Sequence, residues 1–200
     1  MSSDRATVIQ TPVGADMLTF THLVGRDEVS RCFGYTVGFA GPNTDIDPLK
    51  MLGGAVSIEG ESGDPKRWFS GLISEFRLTR IEDRLAHYEA IVRPWLWFLG
   101  NATDCRIFQH MSVIEIVEEI FSKYGSAKFE KRLQGSYPPR DYCVQYDETD
   151  LDFVQRLLDF FVLEKAIYEI GYEIANRPTW VHIPLAGAWR LLFPDESPPS

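Results

Sequence analysis

Histidine and cysteine, the side chains that most often bind metals or act as nucleophiles, are few in this sequence and lie far apart. The chain has four histidines and three cysteines. It contains no HExxH or CxxC motif, so the short spacings that bring zinc ligands together are absent from the sequence. We therefore predict no metal site. The residues concerned are His22, His87, His110, His182, Cys32, Cys105 and Cys143.

Signatures of nucleophilic catalysis and of phosphate binding are also missing. The sequence has no GxSxG nucleophile elbow, no P-loop and no GxGxxG fingerprint. The pair Gly53-Gly54 follows a short apolar run, which favours a helix stop over a phosphate cradle. We predict no cofactor-binding residue.

Neighbouring carboxylates are the remaining candidates for acid–base chemistry. Glu118 and Glu119 lie on the polar face of a predicted helix, and Asp150 and Asp152 lie at the start of another. Such positions favour solvated or capping roles over a catalytic pair. We predict no catalytic residue and a protein that is not an enzyme.

Two tryptophans at period two, Trp95 and Trp97, are compatible with a ligand platform. Their spacing equally fits one face of a packed strand, and we favour that interpretation because large aromatic side chains are usually buried.

Composition and charge narrow the class of protein. Apolar residues make up 44% and charged residues 24% of 200 residues, as in globular domains. The net charge of −9 disfavours binding to nucleic acid. No apolar run approaches the length of a membrane-spanning helix, and the first residues lack the apolar core of a secretory signal. We expect synthesis and folding in the cytoplasm, with no membrane insertion by this segment.

The first half of the chain reads mainly as β-structure. In Arg31–Ala40, apolar side chains at period two predict a strand with one buried face. Asp47-Pro48 predicts the capped start of a short helix. A long hairpin or meander follows, with strands at 67–78 and 85–92 and a charged connection, TRIEDR. Further strands are predicted at 17–23 and 55–59, and a turn at 61–66.

The second half has two helix-start signals. Ser112 with Glu115, and Thr149 with Asp152, have the spacing of capping boxes. The first helix is predicted to end at Tyr124-Gly125. An apolar stripe of Leu151, Val154, Leu157 and Leu158 is expected on the second helix. A strand is predicted at 142–146, and three more at 166–174, 179–183 and 188–193.

Several of these segments, taken in order, resemble the N-terminal part of the VgrG family, the tip proteins of type VI secretion. The segments RPWLWFL, CRIFQHMSVIEIVEEIF and GSYPPRDYCVQYDETDLDFVQRLLD all lie within residues 93–159. The closest parallels are at 106–109, 137–140, 142–146 and 148–153. Asp47-Pro48, Leu52-Gly53 and Phe69-Ser70-Gly71 are similar to the family's first barrel, so the resemblance covers about residues 17–160.

The last residues, PDESPPS at 194–200, are predicted to form a disordered tail. The resemblance implies a phage-hub-like α+β fold: a mainly antiparallel β-barrel-like subdomain at 1–98, then a helix-containing α+β subdomain at 99–193. It implies a non-enzymatic component of the type VI secretion tip. VgrG-like protomers form trimers that sit on the tube of Hcp hexamers, carry effectors or adaptors and are secreted when the system fires.

The sequence departs from the family pattern after Asp159, where FFVLEKAIYEIGYEIANRPTW replaces the usual Glu-Glu-Gly continuation. The chain also ends before a second barrel or a spike, so a truncated form lacking the spike is expected. Without the spike we expect a monomer or a weak oligomer, with Trp95–Phe98 and Phe160-Phe161 as candidate contact segments. The alternatives are a baseplate hub protein of a contractile phage tail or related injection particle, and a small carbohydrate- or peptide-processing enzyme that uses the carboxylates.

We predict three buried, reduced cysteines and no disulfide, because the thiols are widely spaced, lie beside apolar residues and belong to a chain made in the cytoplasm. Mass spectrometry of alkylated, non-reduced protein should find every thiol labelled. A Cys32–Cys143 bridge at high occupancy would contradict the prediction.

Overall fold

A computed structural model of the chain describes residues 9–14, 17–28, 31–60, 67–133 and 137–193. Its internal contacts divide the chain into two units between Phe98 and Leu99. The turn predicted at 61–66 and the tail predicted at 194–200 lie outside the described residues.

The first unit is a six-stranded antiparallel sheet with the strand order β1-β4-β5-β6-β3-β2. A short helix, α1, lies between β3 and β4. The predicted antiparallel character of this part is confirmed. The elements are β1 (Ile9–Gln10), β2 (Thr19–Arg26), β3 (Gly34–Gly41), α1 (Pro48–Met51), β4 (Ala55–Gly60), β5 (Arg67–Glu82) and β6 (Leu85–Arg93).

The core of this unit lies against one face of the sheet. Tyr35, Val37 and Phe39 of β3 are all buried, as their alternation predicts. Every strand contributes to the same apolar cluster, including the two edge strands β1 and β2. Residues outside the strands also belong to this cluster, namely Leu18, Ile46 and the α1 residue Met51. The pairing of β5 with β6 has two register shifts, and such bulges bend a strand locally.

The start of α1 follows its sequence signals. The Asp47 carboxylate accepts a hydrogen bond from the Leu49 backbone N–H at 3.0 Å, and Pro48 occupies the first helical turn. Gly53 has a φ of +72°, a conformation that glycine adopts without strain, so the predicted helix stop is confirmed.

The hairpin between β5 and β6 is longer than predicted. Pairing continues to Glu82↔Leu85, and the connection consists of Asp83 and Arg84 alone. Both residues have positive φ, at 50° and 64°, as two-residue turns of the type I′ kind require. The charged TRIEDR segment looked like a loop because it lacks apolar alternation, but this hairpin end is solvent-exposed and has no face to bury.

The prediction that Trp95 and Trp97 lie on a strand is wrong. Residues Trp95–Asn101 form a 3₁₀ helix. Pro94 has no N–H for a sheet ladder, and its carbonyl accepts a hydrogen bond from Trp97 N–H at 3.0 Å, which starts the turn. Both tryptophans are half-buried.

The second unit pairs a two-stranded antiparallel ribbon with helices. The ribbon is formed by β7 (Thr103–Met111) and β8 (Arg140–Thr149). Buried apolar residues of α2 (Val113–Ser122), of α3 (Asp150–Asn176) and of one ribbon face form its core. Phe108 of β7 stacks on Phe153 of α3, with ring centroids 5.6 Å apart. The fold as a whole is α+β, as predicted.

Both predicted helix starts are present. Ser112 Oγ accepts from Glu115 N–H at 3.3 Å, and the Glu115 carboxylate accepts from Ser112 N–H at 2.7 Å. These bonds lower the pKa of Glu115, with the backbone N–H as the largest cause. Thr149 Oγ1 accepts from Asp152 N–H at 3.0 Å. Here the reciprocal bond differs, since the Asp152 carboxylate accepts from the Thr149 hydroxyl.

Two details of these helices differ from the prediction. The C-cap of α2 is Lys123 instead of Tyr124-Gly125, because Ile120 and Phe121 carbonyls already accept from Lys123 N–H. On α3, Phe153 is fully buried, whereas Leu158 is exposed.

The three strands predicted at 166–174, 179–183 and 188–193 are wrong. Helix α3 continues to Asn176, a 3₁₀ turn follows at Pro178–Trp180, and α4 covers His182–Leu192. Once a capped helix has started, each further residue adds a hydrogen bond without a new nucleation cost. The helix ends where Pro178 disfavours helical backbone at Arg177, whose φ is −145°.

Replacing either N-cap oxygen should weaken the second unit. We expect Ser112→Ala and Thr149→Ala each to lower the free energy of unfolding by about 1 kcal/mol, because each leaves a helix N–H without its acceptor. Chemical denaturation measures the change.

Ser122→Ala is the matched control, since its hydroxyl bonds only to an exposed carbonyl at the other end of α2. It should change stability by less than about 0.5 kcal/mol. Thr149→Ser keeps the capping oxygen and should retain most of the stability. Equal denaturation midpoints for all four variants would contradict the capping roles.

Candidate interaction surface

One face of the β7–β8 ribbon is apolar and open to solvent. Ile107 on β7 is 68% exposed, and Tyr142 and Tyr146 on β8 are 69% and 78% exposed. Val144 lies between the tyrosines and pairs directly with Ile107. We name these four residues the ribbon face. Exposed apolar groups that lie together in this way are typical of protein contact surfaces.

Strand alternation produces the ribbon face. The opposite side carries Phe108, Cys143 and Gln145, which are buried. Because successive side chains of a strand point to opposite faces, burying these three residues forces their neighbours outward. In the part of the chain that the structure describes, each strand of the ribbon pairs only with the other, so both edges retain hydrogen-bonding groups that another strand could use.

A buried polar network lies beneath the ribbon face. Arg106 on β7 forms an ion pair with Asp150, the first residue of α3. Arg106 Nε also donates to Gln145 Oε1 at 2.9 Å. Gln145 Nε2 donates to Asp150 Oδ1 at 2.9 Å and to the Glu148 carbonyl at 3.0 Å. The Tyr124 hydroxyl donates to Asp150 Oδ2 at 2.9 Å.

This network fixes the ribbon relative to its helices. Asp150 accepts hydrogen bonds from β7, from β8 and from the segment after α2, and its backbone N–H donates to the Ala102 carbonyl at 3.2 Å. A carboxylate at the first turn of a helix also interacts favourably with the helix dipole. Removing one partner of a buried ion pair costs about 3–5 kcal/mol, because the other charge is left without compensation.

The environment of Tyr124 changes its acidity. Burial, the hydrogen bond to Asp150 and the negative charge of that carboxylate raise the pKa of Tyr124 to about 12. All three effects disfavour the phenolate.

The carboxylates singled out by sequence have structural positions. Glu118 forms an ion pair with Lys131, and Glu119 is exposed. Asp152 lies in the first turn of α3, where its backbone N–H donates to the capping oxygen of Thr149, in line with the predicted helix start. The prediction of a solvated or capping role is wrong for Asp150, because its side chain is buried in the network. Its contact with Arg106 depends on the pairing of β7 with β8, which places Arg106 opposite Gln145 and near the start of α3, and the sequence gives no local signal for that pairing.

The cysteines differ in burial. Cys143 is buried and Cys32 is half-buried, whereas Cys105 is exposed, so the expectation of burial is wrong for Cys105. Burial raises the pKa of the Cys32 thiol, an effect that nearby Arg93 partly offsets. Within the described ranges, no three His, Cys, Asp or Glu residues come together as a metal site would require. None of the helices there is both long and apolar enough to cross a membrane.

The fold and the comparisons together identify the class of protein. Residues 26–160 match the phage tail baseplate hub (GPD) family. The chain therefore belongs to this family.

The relatives named in these comparisons are type VI secretion proteins. The chain is 35% identical over 160 residues to the type VI secretion system spike protein VgrG1a of Pseudomonas aeruginosa. This aligned region covers 80% of this chain and 25% of VgrG1a. The chain is 36% identical over 156 residues to VgrG1b of the same organism, covering 78% of this chain and 21% of that protein. The chain thus spans a quarter or less of the length of these relatives.

Solved structures share the fold. The c3393 protein of Escherichia coli, a type VI secretion component described as similar to the T4 tail proteins gp27 and gp5, has a TM-score of 0.59 and 26% identity. The aligned region covers 71% of this chain and 42% of the c3393 chain. A 43 kDa tail protein of prophage MuSo2 from Shewanella oneidensis has a TM-score of 0.51 at 11% identity, over 80% of this chain and 49% of that one.

The network predicts a stability change at high pH. The folded-state pKa of Tyr124 is raised from 10.0 to about 12, so the stability contributed by its neutral phenol is fully present below pH 10. That contribution should be lost as the pH rises through about 12. Ultraviolet titration of the chain, which has eight tyrosines, should show a late phenol step that Tyr124→Phe removes.

Tyr142→Phe is the control, because it removes an exposed phenol outside the network. It should leave the late step in place. If Tyr124→Phe left the titration curve at high pH unchanged, the hydrogen bond to Asp150 would not be present in solution.

Proposed function

We propose that this chain is a non-enzymatic structural component of the type VI secretion tip, a VgrG-like hub segment that assembles with other protomers on the Hcp tube. The observation that carries the proposal is the identity of 35% over 160 residues with VgrG1a, within a family match over residues 26–160. Members of such an assembly act by contact, so their function depends on surfaces.

The ribbon face supports this role. It presents large apolar side chains to solvent, and its rigid support by the Arg106–Asp150 network keeps that surface in one shape. A preformed apolar surface loses little conformational entropy on binding, which favours assembly. We assign the ribbon face to a contact with a neighbouring protomer or hub domain in a trimer.

The proposed role includes synthesis, assembly and secretion steps like those of a secreted tip protein. The chain is made in the cytoplasm, joins the tip together with an effector or adaptor, and leaves the cell when the system fires. Nucleic acid and membrane lipid are not among the proposed partners.

A second candidate is a hub protein of a contractile phage tail or related injection particle. The family name, phage tail baseplate hub, favours it. The two candidate functions require different binding partners: the Hcp tube in one case and the tube of a contractile phage tail in the other. Measuring which tube protein binds the chain therefore distinguishes them.

The test measures binding to tube proteins by sedimentation. The purified chain is mixed with Hcp rings from its own bacterium, and in parallel with the tube protein of a contractile phage tail. We expect co-sedimentation with the Hcp rings. Binding only to the phage tube protein would favour the second candidate, and binding to neither would contradict the hub role of this segment.

The ribbon face is tested by self-association across a wide concentration range. We expect a monomer or a weak, concentration-dependent oligomer. The double variant Ile107→Ser/Tyr146→Ser should weaken the self-association constant by at least about tenfold, since burying each large apolar side chain contributes roughly 1.5–3 kcal/mol.

Leu49→Ser is the matched control, because it removes an equally exposed apolar side chain from the first unit. It should leave self-association unchanged. If Leu49→Ser and the ribbon variant had equal effects, the contact would not lie on the ribbon face. A tight trimer at the lowest concentration would contradict the expected weak association.

A further inference from the structure

A basic cleft lies on the first unit of this acidic protein. Three arginines and a single carboxylate line a cavity of about 330 Å³. The whole chain carries a net charge of −9, so the local excess of positive charge runs against the overall balance. The lining residues are Arg26, Glu28, Arg31, Cys32, Arg93 and the strand residues Gly34, Thr36 and Ile91.

The cleft opens on the outer face of the sheet. Tyr35 and Val92 point into the core, so the alternating neighbours Gly34, Thr36 and Ile91 belong to the opposite face. Arg26 ends β2, which is an edge strand of the sheet among the described residues. The cleft therefore reaches the end of an edge strand, and an extended peptide could pair with the outer side of that strand.

Arg93 forms the fixed part of the cleft. Its guanidinium carbon lies 5.4 Å from the centroid of the Trp97 ring. It also lies against Gly34, where a Cβ atom would come within 2.6 Å of Nη1, so a larger residue at position 34 would displace the guanidinium. Its Nε atom is buried and has no hydrogen-bond partner in the described structure. A buried guanidinium N–H without an acceptor is unfavourable, and a ligand oxygen would satisfy it.

The other two arginines form a movable rim. The side chains of Arg26 and Arg31 are 84% and 79% exposed, and both share Glu28, at 3.3 Å and 3.7 Å. One carboxylate cannot neutralise two guanidinium groups. Exposed ion pairs of this kind are weak, so incoming carboxylates can replace Glu28 at little cost.

We propose that this cleft binds an acidic, extended peptide segment of a partner protein, whose carboxylates pair with Arg26, Arg31 and Arg93. Arginine is well suited to the role because its planar fork binds carboxylates in a bidentate manner. The edge of β2 offers alternating main-chain N–H and C=O groups, which a peptide strand can pair with along its length and a small anion cannot. This site lies in the first unit and does not depend on the ribbon face.

Cys32 provides a built-in reporter of occupancy. Its thiol lines the cleft, and a bound peptide should shield it from iodoacetamide, a neutral reagent. Cys105, which is exposed and belongs to the second unit, serves as an internal reference in the same molecule. The experiment measures alkylation rates of both thiols in the full chain by peptide mapping.

Hexaglutamate, hexaserine and inorganic phosphate are compared at equal ionic strength. Hexaglutamate should slow alkylation of Cys32 and leave Cys105 unchanged, and hexaserine should affect neither. Arg26→Gln and Arg31→Gln should each weaken the protection by about tenfold, because each removes a charge-assisted hydrogen bond. The ratio of rates with and without peptide is taken within each variant.

Arg80→Gln is the matched control, since it removes an exposed arginine that pairs with Glu82 in the long hairpin of the same sheet. It should leave protection intact. Three results would overturn the proposal: no protection by hexaglutamate, equal loss in Arg80→Gln, or protection by phosphate that hexaglutamate does not exceed. The first two exclude a specific site, and the third identifies a small-anion site instead. None of them bears on the binding of tube proteins.

Discussion

Successive side chains of a β-strand point to opposite faces of the sheet. In both units of this protein, burial of one face in the core determines which side chains the other face presents to solvent. In the first unit, one face of the sheet is buried in an apolar cluster to which every strand contributes, so Val37 and Phe39 are fully buried. In the second unit, helices cover one side of a two-stranded ribbon and leave the other side apolar and exposed. A two-stranded ribbon cannot fold over itself, so its outer face is available to a partner.

The polar network beneath the ribbon gives this arrangement a defined register. Asp150 accepts hydrogen bonds from Arg106, Gln145 and Tyr124, which come from different parts of the second unit. A slip of one residue in β8 would reverse the faces of Gln145 and Tyr146 and leave buried charges without partners. Apolar packing alone would tolerate such a slip more readily. The network thus explains how a ribbon with polar atoms in its interior can present one fixed apolar face.

The two candidate contact surfaces differ in chemistry. The ribbon face is apolar and rigidly supported, as suits a lasting contact within an assembly. The arginine cleft is charged and has exposed rim side chains such as Arg31, as suits a contact formed and released with salt and partner concentration. The role proposed above, in which the chain joins like protomers and receives other proteins, requires both kinds of surface.

The family was identified from the resemblance of several ordered segments within residues 93–159. Local signals determined the helix starts at Ser112 and Thr149 and the buried face of β3, because capping and alternation act over a few residues. They failed after residue 160, where the same apolar spacing suits a strand or a helix and the continuing α3 decided the outcome. They also failed at Trp95, where Pro94 ended the strand. The burial of Asp150 and the grouping of Arg26, Arg31 and Arg93 depend on strands paired across long stretches of chain. Only the tertiary structure brings such residues together, since pairing register is set by the packed core and not by neighbours in sequence.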